Sequence, residues 1–129
     1  MTRTIIKTGN APAPVGPYSQ GVGYGEVIFC AGQIPLNPVT GKLVEGDPVA
    51  EAQMVIRNLA AVLEAGGSCL EQILRLDVFL TDMAVFSEVN AFLSSVFPMD
   101  PPARVTLGVS VLPMGARIEM AAIAARKKG

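Results

Sequence analysis

The sequence predicts an α+β fold: one six-stranded sheet with two helices packed on one face. Three observations predict it. Two segments repeat apolar residues at steps of three and four. The remaining apolar runs are short, alternating and bounded by Gly, Pro, Asn or Asp. The resulting order is three strands, helix, strand, helix, two strands, which segregates the helices from most of the strands. No internal repeat, low-complexity segment or linker divides the 129 residues, so residues 1–129 read as a single domain.

Thr4-Ile5-Ile6-Lys7 reads as a short first strand. Thr8 to Gly25 is uncharged and carries three prolines and five glycines. Its first part, residues 9–18, reads as a structured loop, because prolines 12, 14 and 17 remove donors and favour extended backbone. Ser19 to Gly23 reads as a second strand, and Gly25-Glu26 as a hairpin turn into Val27-Ile28-Phe29-Cys30-Ala31. Asn37 to Gly41 is a further turn cluster. A helix begins at Asp47-Pro48, with Asp47 as cap and Pro48 at the first helical position. Val49, Ala52, Ile56, Leu59 and Leu63 form its stripe, widened by Val55 and Val62. Gly66-Gly67 ends it by permitting positive φ.

Ile73 to Thr81 reads as a strand with Leu74, Leu76, Val78 and Leu80 on one face, and Arg75, Asp77 and Phe79 on the other. Asp82 caps a second helix carrying Met83, Phe86, Val89 or Asn90, Leu93 and Val96, and Pro98 stops it. Residues 103–109 and 117–125 close the chain as two strands.

Composition narrows the function. Half the residues are apolar, 16% are charged, and the mean hydropathy is +0.45, which is greasy for a small monomer. No apolar run is long enough for a membrane helix, so the excess points to surface buried between subunits. The start of the chain shows no signal-peptide hydrophobic region. A net charge of −1 speaks against a nucleic-acid backbone partner, and the terminal Arg126-Lys127-Lys128 reads as a solvated tail. Cys30 and Cys69 have no metal or redox spacing and read as buried, reduced thiols of a cytoplasmic protein. The chain has no histidine, which removes Ser-His and Cys-His nucleophiles and histidine-rich zinc sites. No phosphate-binding glycine loop occurs.

Arg104 is the only charged residue between Asp100 and Arg117, on a strand that reads as entering an apolar core. Two roles fit it: a two-point clamp for a small carboxylate, or a structural ion pair or edge-strand charge. Arg104, Thr106 and Gly108 share one strand face, and Arg117, Glu119, Ala121 and Ile123 share one face of the last strand. If these strands pair as a hairpin, Glu119 approaches the Arg104 row. Glu119 then either activates a water beside a bound acid or pairs with Arg104 or Arg117.

Several segments resemble the RidA (YjgF-type) family of enamine/imine deaminases. They are Gly16-Pro17-Tyr18-Ser19-Gln20, Ala31-Gly32-Gln33-Ile34-Pro35, Asp77 to Asp82 followed by Val89-Asn90, Pro102-Ala103-Arg104, and Ile118-Glu119-Met120 with Ala122-Ile123-Ala124. The matches run in order over essentially the whole chain. The resemblance implies a mixed, chorismate-mutase-like sheet assembled as a homotrimer with clefts between subunits. It implies hydrolysis of 2-aminoacrylate or 2-iminopropanoate to a 2-keto acid and ammonia, with no cofactor or metal. Carried over by position, Arg104 holds the substrate carboxylate and Glu119 the attacking water. Gly32 binds through its backbone, and Tyr18, Asn90 and Thr106 line the site.

This chain departs from the family pattern at Thr106, where cysteine is common, at Ala31, where serine is common, and at Ala121, where a second glutamate is common. Thr106 excludes any mechanism that needs a thiol at that position. Two other readings compete with the deaminase: a non-catalytic trimer that senses keto or amino acids, and a ribonuclease, which the acidic balance disfavours.

Overall fold

The computed structural model describes residues 2–127. Met1 and Lys128, read above as parts of the N-terminal run and the basic tail, lie outside the described residues. The strands are β1 (Arg3–Ile6), β2 (Gly21–Tyr24), β3 (Val27–Gln33), β4 (Ile73–Leu80), β5 (Ala103–Gly108) and β6 (Ile118–Ala125). The helices are α1 (Pro48–Ala65) and α2 (Phe86–Val96). The strands form one mixed sheet in the order β1-β2-β3-β6-β4-β5. All neighbours are antiparallel except β4 and β5.

The local signals act as expected. Asp47 Oδ1 accepts from Val49 N–H at 3.1 Å, so the first turn of α1 keeps a partner for an orphan donor. Of the two glycines after α1, only Gly67 takes positive φ, at 83°. Asp82 accepts from Ala84 N–H at 2.9 Å, but it caps a 3-10 turn, Met83–Val85, and α2 begins only at Phe86. Gly25 turns the β2–β3 hairpin at φ 61°.

Alternation decides the core. Leu76, Val78 and Leu80 of β4 and Ile118, Met120, Ala122 and Ala124 of β6 point at the helices and are buried. They meet Val55, Leu59, Val62 and Leu63 of α1 and Val89 and Leu93 of α2. Leu74 departs from the expected inward row. A register irregularity between Ile73 and Arg75 buries Ile73 and leaves Leu74 half exposed. Cys30 is buried, whereas Cys69 is only partly so. Arg126 is not a free solvated side chain: it is partly buried, it packs over Gly23, and its Nη2 donates to Thr4 Oγ1 at 2.9 Å.

The final two strands do not pair as a hairpin, the condition under which Glu119 would approach the Arg104 row. β5 runs parallel to β4 on the sheet edge, and β6 inserts between β3 and β4. The connection from 109 to 117 is too long for a tight turn. It steps over the end of β4, where Val109 N–H donates to Leu80 O and Arg117 O accepts from Thr81 N–H. The strand carrying Arg104 is therefore an edge strand and does not enter the apolar core.

The face away from the helices carries a row of Ile5, Val22, Phe29 and Ile123 in register across four strands. Phe29 and Leu107 are each about half exposed on that face.

Candidate active site

Register places the expected residues in two groups on opposite faces of the sheet. Arg104 pairs with Leu76, so it lies on the helix side. Glu119 pairs with Phe79, so it lies on the open side. Paired residues share a face, and β4 stands between the two strands. Arg104 and Glu119 are thus not neighbours within one chain.

The first group gathers around a bend in β3. Pairing with β6 shifts between Cys30 and Gln33, and Gly32 sits in that irregularity. A Cβ on Gly32 would overlap Glu119 Oε2 and stand 2.9 Å from its Cδ, so only glycine lets this carboxylate lie against the strand. Glu119 is half-buried and has no hydrogen bond or ion pair among the described residues. Burial pushes its carboxyl proton affinity above the ordinary glutamate value. Glu119, Gly32 and Tyr18 open together into a cavity of about 380 Å³. Glu119 is the only charged side chain in its lining.

The wall opposite is the loop between β1 and β2. Gln20 shapes it: its buried amide accepts from Thr8 N–H at 2.7 Å and donates to the carbonyls of Thr8, Ala11 and Pro12. That one side chain replaces the ladder bonds that a proline-rich segment cannot make. Tyr18 then projects half exposed, its hydroxyl accepting from Val15 N–H at 3.4 Å. Asn58, buried on α1, donates to the carbonyls of Ile34 and Leu36 and fixes the segment after β3.

The second group lies between β5 and α2. Arg104 is exposed, and its Nη2 donates to Asn90 Oδ1 at 2.6 Å. Its guanidinium carbon lies 5.9 Å from the centroid of the Phe86 ring. These contacts leave other guanidinium donors free for a carboxylate. Thr106, two residues on and half-buried, lies in the same helix-facing row.

The ion pairs considered for Glu119 do not form. Arg117 instead grips the buried Glu51 with two bonds, Nε to Oε1 at 3.2 Å and Nη2 to Oε2 at 2.6 Å. Cys30 is buried, and burial pushes its thiol up to about 12, which disfavours the reactive thiolate. No cluster of metal-ligating side chains occurs among the described residues. Ala31 and Ala121 add no functional group beside Glu119, and Ala31 N–H is spent on Gln20 O at 2.9 Å.

Sequence reasoning singled out Tyr18, Gly32, Asn90, Arg104, Thr106 and Glu119 but not the parts that hold them. Gln20 appeared only inside a motif and Phe86 only in the apolar spacing of the second helix, and Glu51 and Asn58 carried no assigned role. A polar residue on the apolar stripe of α1, as at Glu51 and Asn58, was the available signal.

Comparison with known proteins agrees with this architecture. The profile of the family described as Endoribonuclease L-PSP matches residues 8–126. The chain is 40% identical to a mouse protein named 2-iminobutanoate/2-iminopropanoate deaminase, over 96% of this chain and 92% of that one. Among solved structures, the YjgF gene product of E. coli superposes with a TM-score of 0.91 at 40% identity, covering 96% and 99% of the two chains. TdcF of E. coli, solved with bound serine, superposes with a TM-score of 0.91 at 35% identity and the same coverage. Several other relatives carry only the general name RutC family protein. The chain therefore belongs to the RidA (YjgF-type) family.

Proposed function

We propose that this protein hydrolyses 2-imino acids and their enamine tautomers, 2-iminopropanoate and 2-aminoacrylate among them, to 2-keto acids and ammonia. The observation that carries the reading is Glu119: an unpaired, half-buried carboxylate at the wall of a cavity, held there by the missing side chain of Gly32. Such a group can accept a proton from water near neutral pH. Water adds to the imine carbon, and the resulting carbinolamine expels ammonia and leaves the carbonyl. Arg104 holds the substrate carboxylate, and Asn90 and Phe86 orient Arg104. The backbone of Gly32, in the irregular part of β3, binds the substrate or its product. Tyr18 and Thr106 line the site.

Because Arg104 and Glu119 occupy opposite faces, this mechanism needs two chains. We propose a homotrimer in which one subunit supplies Arg104 and its neighbour supplies Glu119, Gly32 and Tyr18. The exposed apolar row around Phe29 supports such an assembly.

The test is removal of 2-iminopropanoate, generated from alanine by an amino-acid oxidase and read as loss of semicarbazone. Wild type should exceed buffer, and Arg104→Ala and Glu119→Ala should fall to background. Mixed trimers refolded from the two variants should recover roughly a quarter of the sites, since each intact site draws one residue from each variant. Recovery of none would refute the shared site. The serine bound to TdcF supports a second reading, a trimer that binds amino or keto acids without turnover. Under that reading no imine is consumed, whereas under the first Glu119→Ala loses turnover and keeps ligand binding.

A further inference from the structure

On the face away from the helices, the row of Ile5, Val22, Phe29 and Ile123 continues in register onto β4, where it meets Arg75. Asp77, two residues on, shares that face, and Arg75 Nε donates to Asp77 Oδ1 at 2.8 Å. No other side chain answers either charge among the described residues. The in-register neighbours of Arg75 are Ile123 and Ala103, and those of Asp77 are Ala121 and Val105. One contact leaves most of the guanidinium donors and one carboxylate oxygen without a protein partner.

A solvated pair of this kind contributes little by itself, so its setting decides its role. Arg75 stands two strand spacings, about 10 Å, from Phe29. A stable interface takes up roughly 800 Å² a side, a patch about 30 Å across. A subunit that covers the half-exposed Phe29 therefore covers Arg75 as well. Covering a half-satisfied ion pair with apolar surface is strongly unfavourable, so the covering surface must bring both a carboxylate and a cation. A second copy of this chain presents that combination, because the pair carries both signs.

We propose that Arg75 and Asp77 form an ion-pair lock between subunits, with Arg75 of one chain donating to Asp77 of the next. The inference rests on the homotrimer proposed above and names the contact that sets its register. Apolar rows slide past one another at little cost, whereas a buried charge pair has one favourable alignment. In a head-to-tail ring the same contact recurs at every interface, and closure leaves each charge answered.

Two charge reversals test the lock by sedimentation at low salt. Arg75→Asp sets two carboxylates at this place and Asp77→Arg two cations, so neither keeps a pair within a chain or between like chains. Each alone should raise the dissociation constant of the assembly by about thirtyfold or more. An equimolar mixture should reassemble, because opposite charges then meet only across chains, each mixed ring restoring two interfaces out of three. The double reversal R75D/D77R should assemble like wild type, which shows that both positions tolerate the exchanged groups. Asp77→Asn, which keeps the shape, should weaken assembly by about tenfold or more. An unchanged dissociation constant in Asp77→Asn or in the single reversals overturns the lock and leaves the trimer standing. Single reversals that stay apart when mixed, while the double reversal assembles, also overturn it, since the pair then acts within one chain. If wild type sediments as a dimer and the mixture restores that dimer, the trimer fails and the lock stands.

Discussion

Replacing Gln20 with alanine removes one side chain from four backbone partners: the N–H and carbonyl of Thr8 and the carbonyls of Ala11 and Pro12. Three of these bonds are partly buried, and the one to Ala11 is fully buried. The partly buried groups recover water in the variant, so each costs only about 0.5 kcal/mol, at the low end for a hydrogen bond. The buried Ala11 carbonyl finds no substitute and costs about 1–2 kcal/mol. The total is about 3 kcal/mol. At an unfolding entropy of about 2.1 cal/mol/K per residue, each kcal/mol lowers the melting temperature of a chain this size by about 4 °C, so the expected drop is ~12 °C.

The loss should also reach the site, because the same loop carries Pro12, Val15 and Tyr18 to the cavity wall. Urea denaturation at fixed protein concentration gives the stability, and steady-state kinetics give KM. Gln20→Glu is the control: it keeps an acceptor for Thr8 N–H but loses both amide donors and sets a carboxylate among three carbonyls. It should be at least as damaging as alanine. A loss below about 1 kcal/mol for Gln20→Ala, with KM unchanged, would refute the argument that this amide organises the loop.

Glu119→Gln should abolish turnover yet raise stability at neutral pH, because it removes a desolvated carboxylate while keeping its shape. Glu119 has its folded proton affinity raised above the ordinary 4.5, so the native state binds more protons than the unfolded state between the two values. Wild-type stability therefore falls as pH rises through that window, and the advantage of Glu119→Gln should close as pH drops toward 4.5. Melting temperatures across pH 4 to 8 check this, and an advantage that widens on acidification would reverse the assignment. The acid limb of the rate profile should lie above the ordinary glutamate value. An aromatic disulfide reagent at pH 8 should titrate one thiol per native chain and two in urea. Cys30 is buried with its thiol pushed up to about 12, whereas Cys69 is partly exposed. Rapid labelling of both native thiols would contradict the packing of β3.

Most of what was legible in the sequence was local. The stripe of α1, its Asp47 cap and the Gly67 stop depend on neighbours within one turn, so the order of residues determined them. Alternation likewise told which residues of β6 share a face. The candidate residues were legible through resemblance, since their types and order survive without any knowledge of the fold.

Pairing was different. Period-two alternation says which way a side chain points relative to its own strand, and nothing about which strand lies beside it. Alternation therefore left open whether β5 and β6 pair, and with it whether Glu119 approaches Arg104 within one chain; they do not pair. Long-range contacts alone decided that β6 lies between β3 and β4. They also decided that Arg117 grips Glu51, 66 positions away, and that Gln20 ties down residues eight to twelve positions before it. Sequence by itself determined the elements and the chemical groups they carry. Only the tertiary structure decided that the arginine and the glutamate face opposite ways, because strand order follows from where nine linking residues can carry the chain and which apolar face must be covered.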